Sequence, residues 1–462
     1  MAASAISAFL TAVDQQIDHL HSIMLLRNGS VIAEGWWRPY LPEQPHMLYS
    51  LSKSFTSTAI GLAIAEGLLT LDDLVLPYFP DSAPAEISPY LAELKIRHLL
   101  SMATGHEVEP IERNTRNNPD WAAIFLETPI VHQPGSFFLY NSAATYMLSA
   151  IIQRVTGITL LEYLRPRLLD PLGIGEASWE TCPRGINTGG WGLRINTDAI
   201  ARFGQCYLQQ GVWQGQQLIP ADWIAEASKS QISNGNDPAS DWAQGYGYQF
   251  WRCRNNCYRG DGAFGQYCVI MPDQQAVLAI TSGLGDMQPV LNLVWEHLLP
   301  AFEQAALPKN PAAQASLKRQ LTALGLPMPQ GSFTSPRAIQ VSKKIYRCAP
   351  NPYTISEIIL DVQSSHSILT LRGAHGEQRI AAGHGSWERS HARLYYVDPT
   401  EQPAAGSAAW TSEDSYTIRT YFTETPFSST ITCRFVGQEL YLRDEQNVSF
   451  GPLLRAELHA RC

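Results

Sequence analysis

The sequence predicts an α+β protein in which an antiparallel sheet flanked by helices is followed by a C-terminal β-rich domain. Strand-like runs stand at both ends of residues 1–306, and mostly helical sequence between them, about 70–183, predicts a helical subdomain. From 331 to 462 the chain consists of short alternating runs separated by turn residues, which is typical of a sandwich or a barrel. Residues 307–330 begin Pro-rich and polar, and predict a linker with a short helix.

The elements of the first part follow from local patterns. Asp14 and Asp18 interrupt the apolar residues of the N-terminal stretch, so an amphipathic helix is expected there. In "SIMLLRNGSVIAEGWW", Asn28-Gly29 separates two apolar runs and predicts a β-hairpin. A helix beginning near Ser50 comes next. The remaining sheet strands are predicted in "GYGYQFWRC", "GQYCVIMP" and "QAVLAITSG", before a helix from Met287 to about Gln304.

Composition excludes several classes of partner. The chain has 462 residues, of which 45% are hydrophobic, and a formal net charge of −9. This acidic balance gives no basic surface for nucleic acid or anionic lipid. The N-terminus has no basic residues ahead of a long apolar run, as a secretory signal would, and no apolar segment approaches the roughly 20 residues that span a bilayer. We therefore expect a soluble cytoplasmic protein without nucleic-acid or membrane partners; its oligomeric state cannot be predicted.

The cysteines do not indicate a disulfide framework or a metal site. Eight of them are scattered along the chain, and free thiols are expected in a cytoplasmic protein. Cys253 and Cys257 are the closest pair, but their spacing is not CxxC and no second Cys or His pair follows nearby. We therefore expect neither a metal nor a cofactor.

The stretch "YSLSKSFTSTAIGLAIAEG" places Ser50 and Lys53 three residues apart at the start of a helix. Residues at i and i+3 share one helix face, so the amine of Lys53 can reach the hydroxyl of Ser50. The small and apolar residues that follow predict a buried helix, and desolvation lowers the pKa of a lysine so that it can act as a base near neutral pH. The helix N-terminus also favours negative charge developing at Ser50.

Two later stretches add to this pair. In "HQPGSFFLYNSAATY", Tyr140 lies just before a helix, where a tyrosine is commonly only a packing residue. In "YRGDGAFGQYCVIMP", glycines at 260, 262 and 265 precede a strand. They indicate either a simple bulge or hairpin turn, or the close approach of another backbone or a ligand.

Together these motifs, with phrases such as "HLLSMATGH" and "GGWGLRINTDAIARFGQCYLQQGVW", resemble the serine β-lactamase and penicillin-recognising enzyme superfamily. Within it, the sequence is most similar to the class C β-lactamase-related branch with the family VIII esterases and 6-aminohexanoate-dimer hydrolase. The resemblance covers about residues 1–304 and implies a β-lactamase/transpeptidase-like fold there. It also implies that Ser50 is the nucleophile, Lys53 accepts its proton, and Tyr140 shuttles protons to the leaving group.

The resemblance further assigns the backbone N–H groups of Ser50 and Ala263 to an oxyanion hole. It implies four substrate-binding positions, namely Ser142, Gly260, Asp261 and Gly262. Ser142 stands where the family often has Asn, and Gly260 and Asp261 replace the cation and hydroxyl of its K-T-G motif. We therefore expect Asp261 to place a negative charge beside the substrate, disfavouring an anionic one by about 1–4 kcal/mol at ~4 Å.

These residues predict a serine hydrolase that acts through an acyl-enzyme on small ester or amide substrates. One alternative is a β-lactamase or D,D-peptidase, although the strand motif lacks the cation of those enzymes. Another is a catalytically silent binding protein that keeps the fold, although Ser50, Lys53 and Tyr140 are all present. Trp191 and His106 are weaker candidates for lining the pocket.

Overall fold

The computed structural model describes residues 1–111, 119–305, 307–396, 398 and 400–462. Its α-helices, in chain order, are α1 (Ala3–Gln16), α2 (Ser52–Ala65), α3 (Pro89–Ala92), α4 (Ile96–Leu100), α5 (Trp121–Glu127), α6 (Ser142–Thr156), α7 (Leu160–Leu164), α8 (Thr197–Leu208), α9 (Ala221–Ser228), α10 (Gln288–Leu293), α11 (Pro311–Ala323) and α12 (Pro336–Val341). Within the described residues, no single helix is long and apolar enough to cross a membrane. One pair, Ser142–Thr156 with Leu160–Leu169, meets the length and composition test jointly but is bent by 71°.

The strands form a central sheet, a C-terminal barrel and two small sheets. In chain order they are β1 (Leu20–Arg27), β2 (Ser30–Trp36), β3 (His46–Met47), β4 (Ser178–Trp179), β5 (Leu193–Ile195), β6 (Val212–Trp213), β7 (Gln216–Gln217), β8 (Trp251–Arg252), β9 (Tyr258–Gly262), β10 (Gln266–Met271), β11 (Ala276–Ser282), β12 (Ile345–Cys348), β13 (Ile355–Val362), β14 (His366–Gly373), β15 (Gly376–His384), β16 (Glu388–Arg393), β17 (Glu401–Trp410), β18 (Ser415–Phe422), β19 (Ser428–Val436), β20 (Glu439–Gln446) and β21 (Leu454–Arg461).

The central sheet has the order β2-β1-β11-β10-β9-β8 and is antiparallel throughout. Asn28 and Gly29 have φ values of +50° and +76° and form the predicted hairpin turn between β1 and β2. Successive side chains of β1 point to opposite faces of the sheet. Met24 therefore packs in one core, with α2 and α8, while Ile23 packs in a second core, with α1 and α10. The predicted α+β architecture is confirmed.

Helix α2 is buried along nearly its whole length, as its small and apolar residues predicted. Every residue from Ser52 to Ala63 is buried. Several of its hydroxyl side chains donate to backbone carbonyl oxygens: Ser54 Oγ donates to that of Gln249 at 2.9 Å, and Ser57 Oγ donates to that of Tyr248 at 2.7 Å. These bonds remove the cost of burying the hydroxyls, so α2 is a fixed support for the residues at its start.

The C-terminal region is a closed barrel, which settles the choice between sandwich and barrel. Antiparallel pairs connect β15 to β17 through β14, β13, β12, β21, β20, β19 and β18. Parallel pairing of Gly383 and His384 with Ser407 and Ala408 closes this ring of nine strands, while β16 pairs outside it with β17. Closure satisfies the strand edges that an open sheet would expose.

The segment predicted as a linker contains α11, which packs on α1 and β2 of the first domain. Leu317 of α11 is buried in the core that also holds Ile23. The domain boundaries themselves stay predictions, and residue 306 lies outside the described residues.

Candidate active site

Ser50 lies in a short 3₁₀ turn, Tyr49–Leu51, directly before α2. The turn is held by the N–H of Leu51, which donates to the oxygen of Leu48 at 3.2 Å. Tyr49 has a φ of +49°, a left-handed conformation that costs a non-glycine residue about 1–3 kcal/mol. Such a conformation persists only where the surrounding structure holds it. The turn leaves Ser50 partly exposed at the N-terminal end of the buried helix.

Lys53 is buried, with 1% of its surface exposed, and its amine contacts three acceptors. Nζ donates to Ser50 Oγ at 2.9 Å, to Ser142 Oγ at 3.0 Å and to the oxygen of Gly190 at 2.7 Å. An ammonium group has three N–H donors, so this set suits the protonated form. A neutral amine has two donors and a lone pair. It can keep Ser142 and Gly190 as acceptors while turning the lone pair toward the proton of Ser50.

Tyr140 contacts both members of this pair. Its hydroxyl lies near enough to the side chain of Ser50 for that side chain to oppose the rise in the pKa of Tyr140, and its ring centroid lies 4.8 Å from Lys53 Nζ. The ring of Trp251 stacks on the ring of Tyr140, with 5.1 Å between the two centroids. Burial raises the pKa of Tyr140 well above its ordinary value, and the carboxylate of Asp261 adds to that shift. At neutral pH the hydroxyl is therefore protonated and can pass a proton on.

Ser142 is the first residue of α6, and its hydroxyl lies on Lys53. Asn141 caps this helix, because its side-chain oxygen accepts the N–H of Ala144 at 3.0 Å. Ser142 is thus one of the three acceptors of the lysine, and its predicted contact with substrate stays a prediction. The Asn that the family often has here could supply an oxygen to Lys53 in the same way.

Glu109 is a charged neighbour of the site that the sequence analysis missed. Its carboxylate accepts the N–H of Ser142 at 2.6 Å and that of Ala143 at 2.9 Å, which places a negative charge on the N-terminus of α6. Burial raises the pKa of Glu109, while these two N–H groups and the charge of Lys53 oppose the shift. No local motif marks Glu109, since it is one of several acids in "HEVEPIE".

Strand β9 packs closely on the Ser50 turn at two of its glycines, Gly260 and Gly262. A Cβ atom on Gly262 would lie 1.9 Å from the oxygen of Leu48 and 3.1 Å from the nitrogen of Leu51. A Cβ atom on Gly260 would lie 2.5 Å from side-chain atoms of both Leu51 and Ser54. At Gly262 the close approach indicated by the glycines is therefore one of backbone to backbone, whereas at Gly260 it is one of backbone to side chains. It brings Ala263, the next residue after Gly262, to the same end of the site as Ser50.

Asp261 does not present an uncompensated charge, and that expectation was wrong. Its carboxylate Oδ2 pairs with Arg259, at 3.0 Å from Nε and 2.8 Å from the nearer terminal nitrogen. Arg259 is fully buried and Asp261 is 6% exposed. Arg259 also donates to the backbone carbonyl oxygen of Asp241 at 2.7 Å, and its guanidinium lies 4.4 Å from the ring centroid of Trp242. The two residues share one strand face, so the pair contributes little net charge beside Tyr140.

The weaker pocket candidates lie in packed surroundings. His106 is fully buried against Phe125, its Nδ1 lies 2.9 Å from Thr104 Oγ1, and burial lowers its pKa to about 4. The ring of Trp191 stacks on that of Trp121 at 5.7 Å. All eight cysteines are unpaired. Among the described residues, no group of three or more His, Cys, Asp or Glu side chains could hold a metal ion.

Comparison with known proteins identifies the family of the chain. A family model described as Beta-lactamase matches residues 13–291, which is more than half of the chain. The 6-aminohexanoate-dimer hydrolase of Paenarthrobacter ureafaciens is 25% identical over 308 residues, covering 61% of this chain and 78% of that protein.

Many solved structures share the fold at low identity, and two of them are described here. One is EstCE1, a hydrolase with promiscuous acyltransferase activity, with a TM-score of 0.53 at 17% identity over 63% of this chain and 99% of its own. The other is the octameric penicillin-binding protein homologue from Pyrococcus abyssi, with a TM-score of 0.53 at 16% identity over 99% of both chains. The second similarity includes the C-terminal region. The chain therefore belongs to the beta-lactamase family and is a serine hydrolase.

Proposed function

We propose that this enzyme hydrolyses small esters or amides through an acyl-enzyme on Ser50, with Lys53 as the base. The observation that carries the proposal is the 2.9 Å contact between Lys53 Nζ and Ser50 Oγ, made by a buried lysine. The Tyr140 hydroxyl, which lies near the same serine, adds a group that can relay protons. A serine beside a positioned base is the arrangement that nucleophilic catalysis requires.

Acylation would proceed in two bond changes. The lone pair of Lys53 takes the proton of Ser50 while Oγ bonds to the substrate carbonyl carbon, whose oxygen becomes an oxyanion. The N–H groups of Ser50 and Ala263 are proposed to hold that oxygen, and one such donor is typically worth about 3–4 kcal/mol. Collapse of the intermediate then breaks the bond to the alcohol or amine. The leaving group receives the proton of the Lys53 ammonium, relayed by the Tyr140 hydroxyl.

Deacylation repeats the sequence with water. Water adds to the acyl carbon and gives its proton to Lys53, and collapse breaks the ester bond to Ser50, whose oxygen regains a proton. The products are a carboxylic acid and an alcohol or amine. The named relatives, a hydrolase of 6-aminohexanoate dimers and EstCE1, support amides and esters as the classes to test. A cytoplasmic location also stays a prediction.

The test compares the parent protein with Ser50→Ala. Hydrolysis is measured for short-chain p-nitrophenyl esters, linear amide oligomers and the β-lactam nitrocefin, and intact mass is measured after reaction with a fluorophosphonate. We expect ester or amide turnover in the parent, one covalent adduct on Ser50, and a loss of kcat on the order of 10⁴-fold or more in Ser50→Ala. The melting temperature should not change, because the substitution removes one partly exposed hydroxyl.

The control is Ser136→Ala, which changes an exposed serine in a surface turn and should leave both turnover and labelling unaffected. A parent that prefers nitrocefin would favour a β-lactamase instead. A folded parent that neither turns over these substrates nor reacts with the fluorophosphonate would favour a silent binding protein. An adduct on a serine other than Ser50 would reassign the nucleophile.

A further inference from the structure

Four aromatic rings from the two domains meet beside the Ser50 turn. Tyr49 and Phe264 belong to the hydrolase domain, and Phe427 and Phe450 belong to the barrel. Phe450 lies 5.6 Å from Tyr49 and 4.6 Å from Phe264 between ring centroids. Phe427 lies 6.4 Å from Tyr49 and 5.6 Å from Phe264. These separations are those of attractive ring contacts. We call these four residues the aromatic clamp.

The two hydrolase-domain rings belong to the residues that adjoin the candidate oxyanion donors. Tyr49 precedes Ser50, and Phe264 follows Ala263. Tyr49 has a φ of +49° and Phe264 a φ of +67°. Bulky residues rarely adopt such values, and they keep them only where the surroundings determine the conformation. Both side chains are 8% exposed, so their packing supplies those surroundings.

Polar contacts fix the barrel beside the same turns. Phe427 lies in the β18–β19 turn. In the same turn, the backbone carbonyl oxygen of Glu424 accepts the N–H of Met47 at 2.8 Å, and Met47 is three residues before Ser50. Phe450 lies in the β20–β21 loop, where Asn447 Nδ2 donates to the oxygen of Gly283 at 3.0 Å. The barrel is thus anchored on the strand that leads to the nucleophile and at the end of β11, next to the β9–β10 hairpin.

We propose that the C-terminal barrel is part of the catalytic apparatus, because the aromatic clamp positions the backbone N–H groups of Ser50 and Ala263 as the oxyanion hole. The inference rests on the proposed function. Phe427 and Phe450 are positioning residues in this view, since they act through Tyr49 and Phe264. Loss of a ring lets the two strained turns relax and moves the donors relative to each other.

A positioning role has a kinetic signature that differs from that of a pocket wall. Displaced oxyanion donors reduce the stabilisation of the transition state but not the binding of substrate. We therefore expect kcat to fall while KM stays constant for every acyl chain length. A ring that contacts the acyl chain instead changes KM, and does so more for long chains than for short ones. p-Nitrophenyl acetate, butyrate and octanoate therefore separate the two roles.

The experiment uses the full chain with Phe450→Ala, Phe427→Leu and the rescue variant Phe450→Tyr. Phe333→Ala is the matched control, because Phe333 is also a half-exposed phenylalanine of the C-terminal region, 44% against 54% for Phe450, and stacks on His384. We expect kcat to fall about tenfold in Phe450→Ala for all three esters with KM within about twofold, since complete loss of one donor costs 10²–10³. Phe450→Tyr and Phe333→Ala should stay near the parent.

Amide hydrogen exchange in residues 45–55 and 258–268 provides a readout that does not need turnover. Exchange should be faster in Phe450→Ala than in Phe333→Ala. A parent protein without activity would refute the proposed function. The exchange comparison would still test whether the aromatic clamp holds the two turns. Unchanged kcat and exchange in both clamp variants would overturn the inference, and so would a loss confined to the KM of the octanoate.

Discussion

The buried pair of Arg259 and Asp261 makes a prediction for stability that can be worked from the structure. Asp261→Asn keeps the size of the side chain and one oxygen acceptor, but it removes the negative charge. Arg259 then remains buried. Its other hydrogen-bond partners are the backbone carbonyl oxygen of Asp241 at 2.7 Å and Cys253 Sγ at 3.0 Å. Neither partner carries the lost charge. The free energy of unfolding should therefore fall, because the folded state retains an uncompensated cation.

The size of the effect follows from burial. Arg259 is 0% exposed and the Asp261 side chain 5%. Breaking a pair in such surroundings by removing one partner costs about 3–5 kcal/mol. Because the amide oxygen and the two other partners remain, we expect the lower end, about 3 kcal/mol. That is a large share of the ~5–15 kcal/mol that stabilises a typical folded protein.

Urea unfolding monitored by circular dichroism measures the effect, with the slope checked to ensure that the same transition is compared. The control is Glu445→Gln. Arg443 and Glu445 are likewise two residues apart on a strand, at 2.7 Å, but their side chains are 55% and 46% exposed. We expect no measurable change there. Adding Arg259→Met to Asp261→Asn should recover most of the loss. A loss from Asp261→Asn no larger than that of the control would refute the reasoning.

Three further predictions concern pH and backbone approach. Glu109→Gln removes a negative charge near the base, so the acid limb of kcat/KM should move to lower pH by on the order of one unit; an unmoved limb contradicts this. Burial lowers the pKa of His46 to about 4, below the 6.5 of the unfolded chain, so the unfolded state binds the proton first as pH falls. The contribution of His46 to the free energy of unfolding should decrease between pH 6.5 and 4 by up to about 3 kcal/mol, so His46→Gln should make the pH dependence of stability shallower, whereas the exposed-site control His375→Gln should not. Gly262→Ala should lower both activity and melting temperature, because its Cβ would lie 1.9 Å from a carbonyl oxygen, whereas Gly175→Ala has open space and should change neither.

The features that could be predicted from the sequence are those that depend on near neighbours in the chain. Ser50 and Lys53 are three residues apart, so helix geometry alone brings their side chains together. Asn28-Gly29 sets the hairpin by its own backbone preferences. Tyr140 was found because the resemblance supplied the long-range information that one sequence lacks.

The features that were missed depend on contacts between distant segments. Glu109 reaches Lys53 only through the N-terminus of α6, 33 residues further along the chain. Phe427 contacts Tyr49 across the interface between the barrel and the first domain, 378 residues further along the chain. The barrel itself closes through a parallel pair between β15 and β17, which no hairpin signal marks. Periodicity identifies strands but does not determine which strands become neighbours.

The expectation of an uncompensated charge at Asp261 was wrong for a different reason, since the nearby sequence already contained the residue that pairs with it. Arg259 and Asp261 are two residues apart in a strand, and that spacing places both side chains on one face. Pairing and burial remove the repulsion of anionic substrates that the isolated aspartate suggested. What remains is the absence of attraction, because position 260 is a glycine and supplies no cation. Any preference for neutral esters over carboxylate-bearing β-lactams must therefore reflect the missing cation and the shape of the site. A lysine at position 260 would place its Cβ atom 2.5 Å from side-chain atoms of Leu51 and Ser54, so restoring a cation there requires these side chains to shift.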